Sequence, residues 1–225
     1  MVGPRGPGLA APLVTLTAVT TTLGCLICLN GEATSRFAQR AVGKILASCS
    51  FVAAGWFAGL PSTPHGEWGM IALGFGLLGD LALLSDRRRV FLAGLVAFLA
   101  GHLAYARALA DLAPNLPAAA VAFVVMAGVG VAIVRWTAPG AGKLAPAVAV
   151  YALAIASMVA LAVGVAFAAP ATPTVVLALA AVLFAASDVA VARQRFVEPA
   201  LINRAVGLPL YYLAQLLFVW GLARV

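Results

Sequence analysis

The chain has 225 residues, of which 64% are hydrophobic and only 9% are charged, and its formal net charge is +7. The mean hydropathy of +1.08 excludes a water-soluble domain, because a soluble protein of this length cannot keep so much apolar surface out of water. The cations stand in short segments between long apolar runs, as at a membrane surface, and not on a nucleic-acid-binding face. Apolar and polar residues do not alternate within these runs as they do in the strands of a membrane β-barrel. Transmembrane helices are the other structure that satisfies the backbone hydrogen bonds in lipid. We predict an all-α membrane protein with one polytopic domain over residues 1–225.

Eight apolar stretches are long enough to cross a bilayer at about 20 residues per helix. The segments between them are short and often contain proline or glycine. The sequence therefore predicts a bundle of about eight transmembrane helices, and we expect the first and the fifth to serve packing only. The predicted helices cover residues 10–29, 42–60, 67–85, 90–111, 117–136, 144–168, 172–192 and 204–223.

The distribution of cations predicts the orientation of this bundle. Ten lysines and arginines follow helices one, three, five and seven, whereas the opposite side has only Arg107 and the terminal Arg5 and Arg224. Because positive loops stay in the cytoplasm, we expect both termini outside it. The composition is typical of a GC-rich bacterial genome, so we expect a multi-pass protein of a bacterial plasma membrane.

Two aspartates occupy matching positions in the two halves of the chain. Gly79-Asp80 near the end of the third helix precedes a run of arginines, and Ser187-Asp188 near the end of the seventh precedes Arg193 and Arg195. A carboxylate within a membrane span costs about 2.5 to 3.5 kcal/mol on insertion scales, so it is rarely without a role. The match predicts a paired site and two parallel four-helix repeats, residues 1–112 and 113–225. Two independent helix-end carboxylates and a chance match are the alternatives.

Other polar side chains are predicted at similar depths in the membrane. Each also has a structural explanation: the lysine can extend to the headgroups, the histidine can bind helix backbone, the tyrosines can pack, and the glutamine can join helices. The depth that they share favours one site. They are Lys44, His102, Tyr105, Tyr151, Tyr211, Tyr212 and Gln215.

Three kinds of chemistry can be considered for this set. A metal site needs three or four ligands, and two aspartates with one membrane histidine are a sparse set, so we expect neither metal nor cofactor. A serine–histidine–acid triad is not evident, because Ser187 and Asp188 are adjacent on a helix and face different directions. Two buried carboxyl groups suit general acid–base catalysis, since burial and mutual repulsion favour one protonated and one ionised group.

These residues, in this order and spacing, resemble the lysoplasmalogenase family, the YhhN-type membrane proteins, over nearly the whole chain. The resemblance implies an ether-lipid hydrolase that converts lysoplasmalogens to a fatty aldehyde and a glycerophospho-choline or -ethanolamine. It implies catalytic roles for Asp80 and Asp188 and supporting or substrate-binding roles for the other matching residues. The matching positions are Lys44, Gly79-Asp80, His102-x-x-Tyr105, Tyr151, Met158, Phe184-x-x-Ser187-Asp188 and Tyr211-Tyr212-x-Ala214-Gln215.

The implied reaction agrees with the residues. An enol ether is hydrolysed by protonation at carbon, which needs one carboxylic acid and one carboxylate beside the resulting oxocarbenium ion. We expect a lysophospholipid substrate, membrane lipid as surroundings and no nucleic acid. The alternative is a non-enzymatic carrier of lipid or a small solute, in which the carboxylates couple transport to protons.

Overall fold

The computed structural model describes residues 7–85 and 87–225; Arg5, which entered the charge distribution, lies outside them. Within the described residues the chain forms eight α-helices and no strand. Short 3-10 turns, Leu60–Ser62 and Gly142–Leu144, precede the third and sixth helices. The helices are α1 (Pro7–Ala33), α2 (Phe37–Phe57), α3 (Pro64–Ala82), α4 (Arg88–Ala110), α5 (Leu116–Ala141), α6 (Ala145–Ala168), α7 (Thr172–Phe196) and α8 (Leu201–Leu222).

Six helical stretches of the described chain are long and apolar enough to cross a membrane, which is compatible with an integral membrane protein. One of them, Leu116–Ala168, is 53 residues long and contains both α5 and α6, and α3 is not among the six. The all-helical prediction is confirmed. The predicted number of about eight spans is not confirmed by this count and stays a prediction.

Local sequence explains several helix ends. The Thr63 hydroxyl accepts the Gly66 N–H at 3.2 Å, and Pro64 takes the first helical position, where its missing N–H costs nothing. Asn115 caps α5 in the same way through the Ala118 N–H at 3.0 Å. These two caps fix where α3 and α5 begin.

Three predicted helix ends were too early, and one of them is the end of the seventh helix, which continues past residue 192 to Phe196. The first helix continues past residue 29 to Ala33, because Gly31 packs closely on α2: a Cβ there would lie 2.5 Å from the Arg40 nitrogen. The fifth continues past residue 136 through Pro139 to Ala141. A proline so near a helix end displaces little of the hydrogen-bond ladder. Tertiary packing and position thus override the breaking tendency of glycine and proline.

Each helix packs most closely on its sequence neighbour, in the pairs α1–α2, α3–α4, α5–α6 and α7–α8. The α1–α2 contact depends on small residues, since a Cβ at Gly43 would lie 2.3 Å from the Cys28 nitrogen. Such close approach is the usual basis of helix association in lipid. The same pairing in both halves is compatible with the predicted repeats, which remain a prediction.

The buried centre of the bundle is aromatic, and Tyr211 of α8 stands in its middle. Its ring meets Phe51 of α2 at 6.0 Å, Phe98 of α4 at 5.7 Å and Phe184 of α7 at 5.3 Å between centroids, each close to edge-on. This geometry is favourable for aromatic pairs. One tyrosine therefore connects four helices at the level where the polar residues meet.

Candidate active site

Asp80 lies on α3, and both of its carboxylate oxygens accept hydrogen bonds from side chains of α2. The Lys44 ammonium donates to Oδ1 at 2.8 Å, and the Ser48 hydroxyl donates to Oδ2 at 2.6 Å. Lys44 and Ser48 are four residues apart, so both project from one face of their helix. The Asp80 side chain is only 2% exposed. An ammonium and a hydroxyl on its two oxygens stabilise Asp80 as a carboxylate.

Asp188 on α7 has different partners. The Tyr151 hydroxyl of α6 donates to Oδ1 at 3.2 Å, and Nε2 of His102 on α4 lies 3.0 Å from Oδ2. The side chain is 12% exposed, more than that of Asp80. No lysine or arginine of the described residues lies within ion-pair distance of it. Asp188 is therefore the more accessible and the less strongly neutralised of the two carboxyl groups.

The contact between His102 and Asp188 implies a shared proton. Nδ1 of His102 lies 2.7 Å from the Phe98 carbonyl, which only accepts, so Nδ1 carries a hydrogen. In a neutral imidazole Nε2 is then an acceptor, and it faces the carboxyl oxygen. The pair needs one proton, on Asp188 or on Nε2. Within the described residues neither of the two buried atoms has a hydrogen-bond partner, so no other group competes for this proton.

One cavity of about 590 Å³ has both Asp80 and Asp188 on its wall, as predicted. Lys44 and Tyr151 line it beside them. Much of the remaining wall is apolar, and side chains of α4, α5, α6 and α7 contribute to it. These include Leu95, Phe98, Met126, Ile133, Ile155 and Val182. The cavity thus joins an apolar chamber to two carboxyl groups in different electrostatic settings.

A hydrogen-bonded chain of three side chains stands behind the cavity. The Tyr105 hydroxyl donates to Oε1 of Gln215 at 2.5 Å, and Nε2 of Gln215 donates to the Tyr211 hydroxyl oxygen at 3.2 Å. Tyr211 lines the cavity, whereas Tyr105 and Gln215 do not. Because Tyr211 accepts from the amide, its own hydrogen remains for a group in the cavity. Gln215 also joins α8 to α4, the structural role that the sequence suggested.

The remaining predicted residues are less directly placed. Ser187 lines the cavity, but its hydroxyl donates to the Gly207 carbonyl at 3.0 Å, which joins α7 to α8. His102 contacts Asp188 but is not in the cavity wall, and it also makes the backbone contact named as its alternative. Tyr212 is buried against Phe51, with ring centroids 6.2 Å apart, away from the wall. These positions leave the predicted roles of the three residues as predictions.

Sequence reasoning missed several polar residues at the site. Ser48 was detectable, since it lies one turn after Lys44. Arg195 and Arg204 were assigned only to the loops, yet both line the cavity. The first helix was expected to serve packing only, but Glu32 in its last turn has a side chain that is 6% exposed and binds Arg204 at 2.8 Å. The predicted helix ended before Glu32, which is why its role was overlooked.

Comparison with known proteins identifies the family of the chain. The model of the YhhN family matches residues 39–222, which is well over half of the chain and includes the whole set from Lys44 to Gln215. No curated protein and no solved structure matches the chain significantly. The family match confirms the resemblance drawn from the residues: this chain belongs to the YhhN family.

Proposed function

We propose that this protein hydrolyses the vinyl ether bond of lysoplasmalogen-like lysolipids, with the bond placed between Asp80 and Asp188. The YhhN family is associated with lysoplasmalogenase activity. The observation that carries the proposal is one largely apolar cavity with two carboxyl groups of unlike partners. Asp80 is bound by an ammonium and a hydroxyl, and Asp188 by a tyrosine and a histidine that competes for its proton. Such a pair supplies an acid and a carboxylate together.

The proposal includes the placement of the site in a bilayer. Leu116–Ala168 is long enough for two crossings at about 20 residues each, and α3 completes a bundle of eight spans. The arginine-rich ends of the helices then face the cytoplasm and both termini face outward. Asp80 and Asp188 lie a few residues from the basic ends of α3 and α7. A lysolipid with its headgroup at that surface places its vinyl ether at about this depth.

The first chemical step is protonation of the substrate. The proton shared by Asp188 and His102 passes to the outer carbon of the vinyl ether, and the ether oxygen stabilises the resulting oxocarbenium ion. Asp188, now a carboxylate, lies beside this cation. Electrostatic stabilisation of developing charge in a site of low dielectric usually contributes more to catalysis than any other single effect. His102 orients the Asp188 carboxyl group through its 3.0 Å contact, and the proton returns to Asp188 from the attacking water.

The second step is addition of water. The water oxygen bonds to the cationic carbon while Asp188 accepts a proton from the water. The product of this step is a hemiacetal. Collapse of the hemiacetal releases the aldehyde and the glycerophospho-alcohol, and the acid is regenerated. Asp80, fixed by Lys44 and Ser48, adds a second carboxylate that orients the water, and Tyr211 has a hydrogen to donate to the ether or hydroxyl oxygen.

Aldehyde release by the purified protein tests this function. Protein in a maltoside detergent is given a 1-alkenyl lysophospholipid and, as the control, its saturated 1-alkyl analogue. We expect fatty aldehyde and glycerophospho-base in equal amounts from the alkenyl lipid, and no product from the alkyl lipid, because an alkyl ether cannot form the oxocarbenium ion by protonation at carbon. Tight binding of both lipids without release of aldehyde would favour a carrier and overturn the proposal.

A further inference from the structure

The cavity has a cationic end that the proposed chemistry does not use. Arg195 in the last turn of α7 and Arg204 in the first turn of α8 both belong to its wall. Among the described residues, the other charged groups of the wall are Lys44, Asp80 and Asp188, and Lys44 is bound to Asp80. The surplus positive charge therefore lies at the end of the cavity near the α7–α8 turn.

Helix geometry places this charge in line with the carboxyl pair. Asp188 and Arg195 are seven residues apart on α7, and Arg204 and Tyr211 are seven apart on α8. Seven residues make nearly two full turns, so each pair shares a helix face, with a rise of roughly 10 Å between its members. The two adjacent helices α7 and α8 thus have the same arrangement. Each has an arginine at the mouth of the cavity and a reacting or hydrogen-bonding group about 10 Å deeper.

Arg195 is available to a ligand. Its guanidinium lies over the Phe91 ring at 4.4 Å from the centroid, and within the described residues no carboxylate is in ion-pair distance of it. Stacking on an aromatic face leaves the edge of the guanidinium, with its N–H donors, free to bind an anion. Arg204 uses Nη1 for Glu32 and is 35% exposed on its side chain, so it has further donors.

The turn between α7 and α8 is held in place by a separate set of polar contacts. Arg193, which is not in the wall, donates to Asn203 at 2.8 Å and to Glu198 at 2.8 Å. Oε1 of Gln194 accepts from the Ala200 N–H and from Asn203, each at 2.9 Å. This network fixes the spacing of the helix ends that carry Arg195 and Arg204. The two arginines are thereby preorganised, which lowers the cost of binding.

We propose that Arg195, with Arg204 beside it, binds the phosphate of a lysophospholipid whose hydrocarbon chain occupies the apolar chamber. The inference rests on the proposed function for the position of the reacting bond. Arginine is suited to phosphate because its planar fork donates two parallel hydrogen bonds. The extended glycerol and phosphodiester of a lysolipid span about the rise between Asp188 and Arg195. Within the described residues no acid lines the cavity at the mouth, so we expect the phosphate to be recognised and the choline or ethanolamine not.

Binding of ligands that cannot react tests this site without reference to catalysis. The probes are 1-alkyl-glycerophosphocholine, 1-alkyl-glycerophosphoethanolamine, phosphate-free 1-alkylglycerol and chain-free glycerophosphocholine, titrated against protein in maltoside. We expect the first two to bind alike. Arg195→Gln should weaken both by about tenfold to a hundredfold, the value of a hydrogen bond to a charged group, and leave alkylglycerol unchanged. Arg195→Lys should recover part of the loss. Arg135→Gln, an equal charge change outside the wall, should bind as the wild type does.

Two binding results would overturn the site. One is Arg195→Gln protein that keeps wild-type affinity for both phospholipid probes. The other is chain-free glycerophosphocholine that competes as well as the full lysolipid, which would indicate a site for free phosphate esters. A kinetic arm separates this inference from the proposed function. If the protein hydrolyses vinyl ethers, kcat/KM is measured for alkenyl phospholipid and for phosphate-free alkenylglycerol. Arg195→Gln should lower the ratio of the first value to the second about tenfold, and an unchanged ratio contradicts the phosphate site. Arginine-dependent binding without any aldehyde would contradict the hydrolase and leave the phosphate site standing.

Discussion

Asp188→Asn is expected to lower turnover of the alkenyl lysolipid by about 10² to 10⁴-fold, the contribution of general acid–base catalysis. An asparagine at this position cannot transfer a proton to carbon, and it cannot form the anion that stabilises the oxocarbenium ion. Asp80→Asn should also cause a large loss, because it removes the second carboxylate. Aldehyde release under substrate saturation measures both effects, with size-exclusion elution as the test of folding.

The matched control for these variants is Asp111→Asn. Asp111 follows the far end of α4, is ion-paired with Arg107 and is not in the cavity wall, so its loss should leave turnover near the wild-type value. His102→Gln and Tyr105→Phe should cost less than either cavity aspartate. His102 orients Asp188, Tyr105 orients Tyr211 through Gln215, and neither of them lines the cavity. Full activity in Asp188→Asn protein would refute Asp188 as the acid and direct attention to His102.

Lys44→Met is expected to lower the free energy of unfolding by about 3 to 5 kcal/mol, because it leaves the buried carboxylate of Asp80 without its cation. The pair is deeply buried, with Lys44 6% and Asp80 2% exposed on their side chains. Turnover should fall as well, since the Asp80 carboxylate loses the ammonium that fixes its position in the cavity. Denaturant unfolding in mixed micelles measures the stability, and aldehyde release measures the activity.

A double variant separates the structural role of Lys44 from its catalytic role. Lys44→Met combined with Asp80→Asn removes both charges, so most of the lost stability should return. Activity should not return, because the second carboxylate is gone. If the single Lys44→Met variant unfolds at the same denaturant concentration as the wild type, the ion pair has no structural importance. If the double variant is as active as the wild type, Asp80 has no role in the reaction.

The sequence was sufficient for the all-helical class and for three of the charged side chains that line the cavity, because both depend on local signals. Apolar runs of about 20 residues predict helices in lipid whatever their neighbours are. Charged residues within such runs are rare enough to stand out, as Lys44, Asp80 and Asp188 did. We expected them to meet in one cavity because they lie at similar depths in the membrane. The depth of a residue can be counted along its own helix without knowledge of the other helices.

What the sequence could not predict depends on contacts between helices. Nothing local distinguishes Asp80 from Asp188, and their unlike character arises from Lys44 and Ser48 on one helix and His102 and Tyr151 on two others. Arg195 looked like one more loop cation, because its place in the cavity wall depends on how α7 meets α8. The extension of α1 to Ala33 depends on packing against α2. The low helix propensity of Asn30 and Gly31 would instead predict that the helix ends there.

The position of the transferred proton tests most directly whether a vinyl ether carbon is protonated in this cavity. The reaction is run in D₂O with purified protein, and the aldehyde is reduced at once to the alcohol so that slow exchange adds no further label. Protonation at carbon predicts one deuteron on the carbon next to the former carbonyl, with turnover slower than in H₂O. An aldehyde without this deuteron, or one formed equally fast in both solvents, would contradict the proposed mechanism.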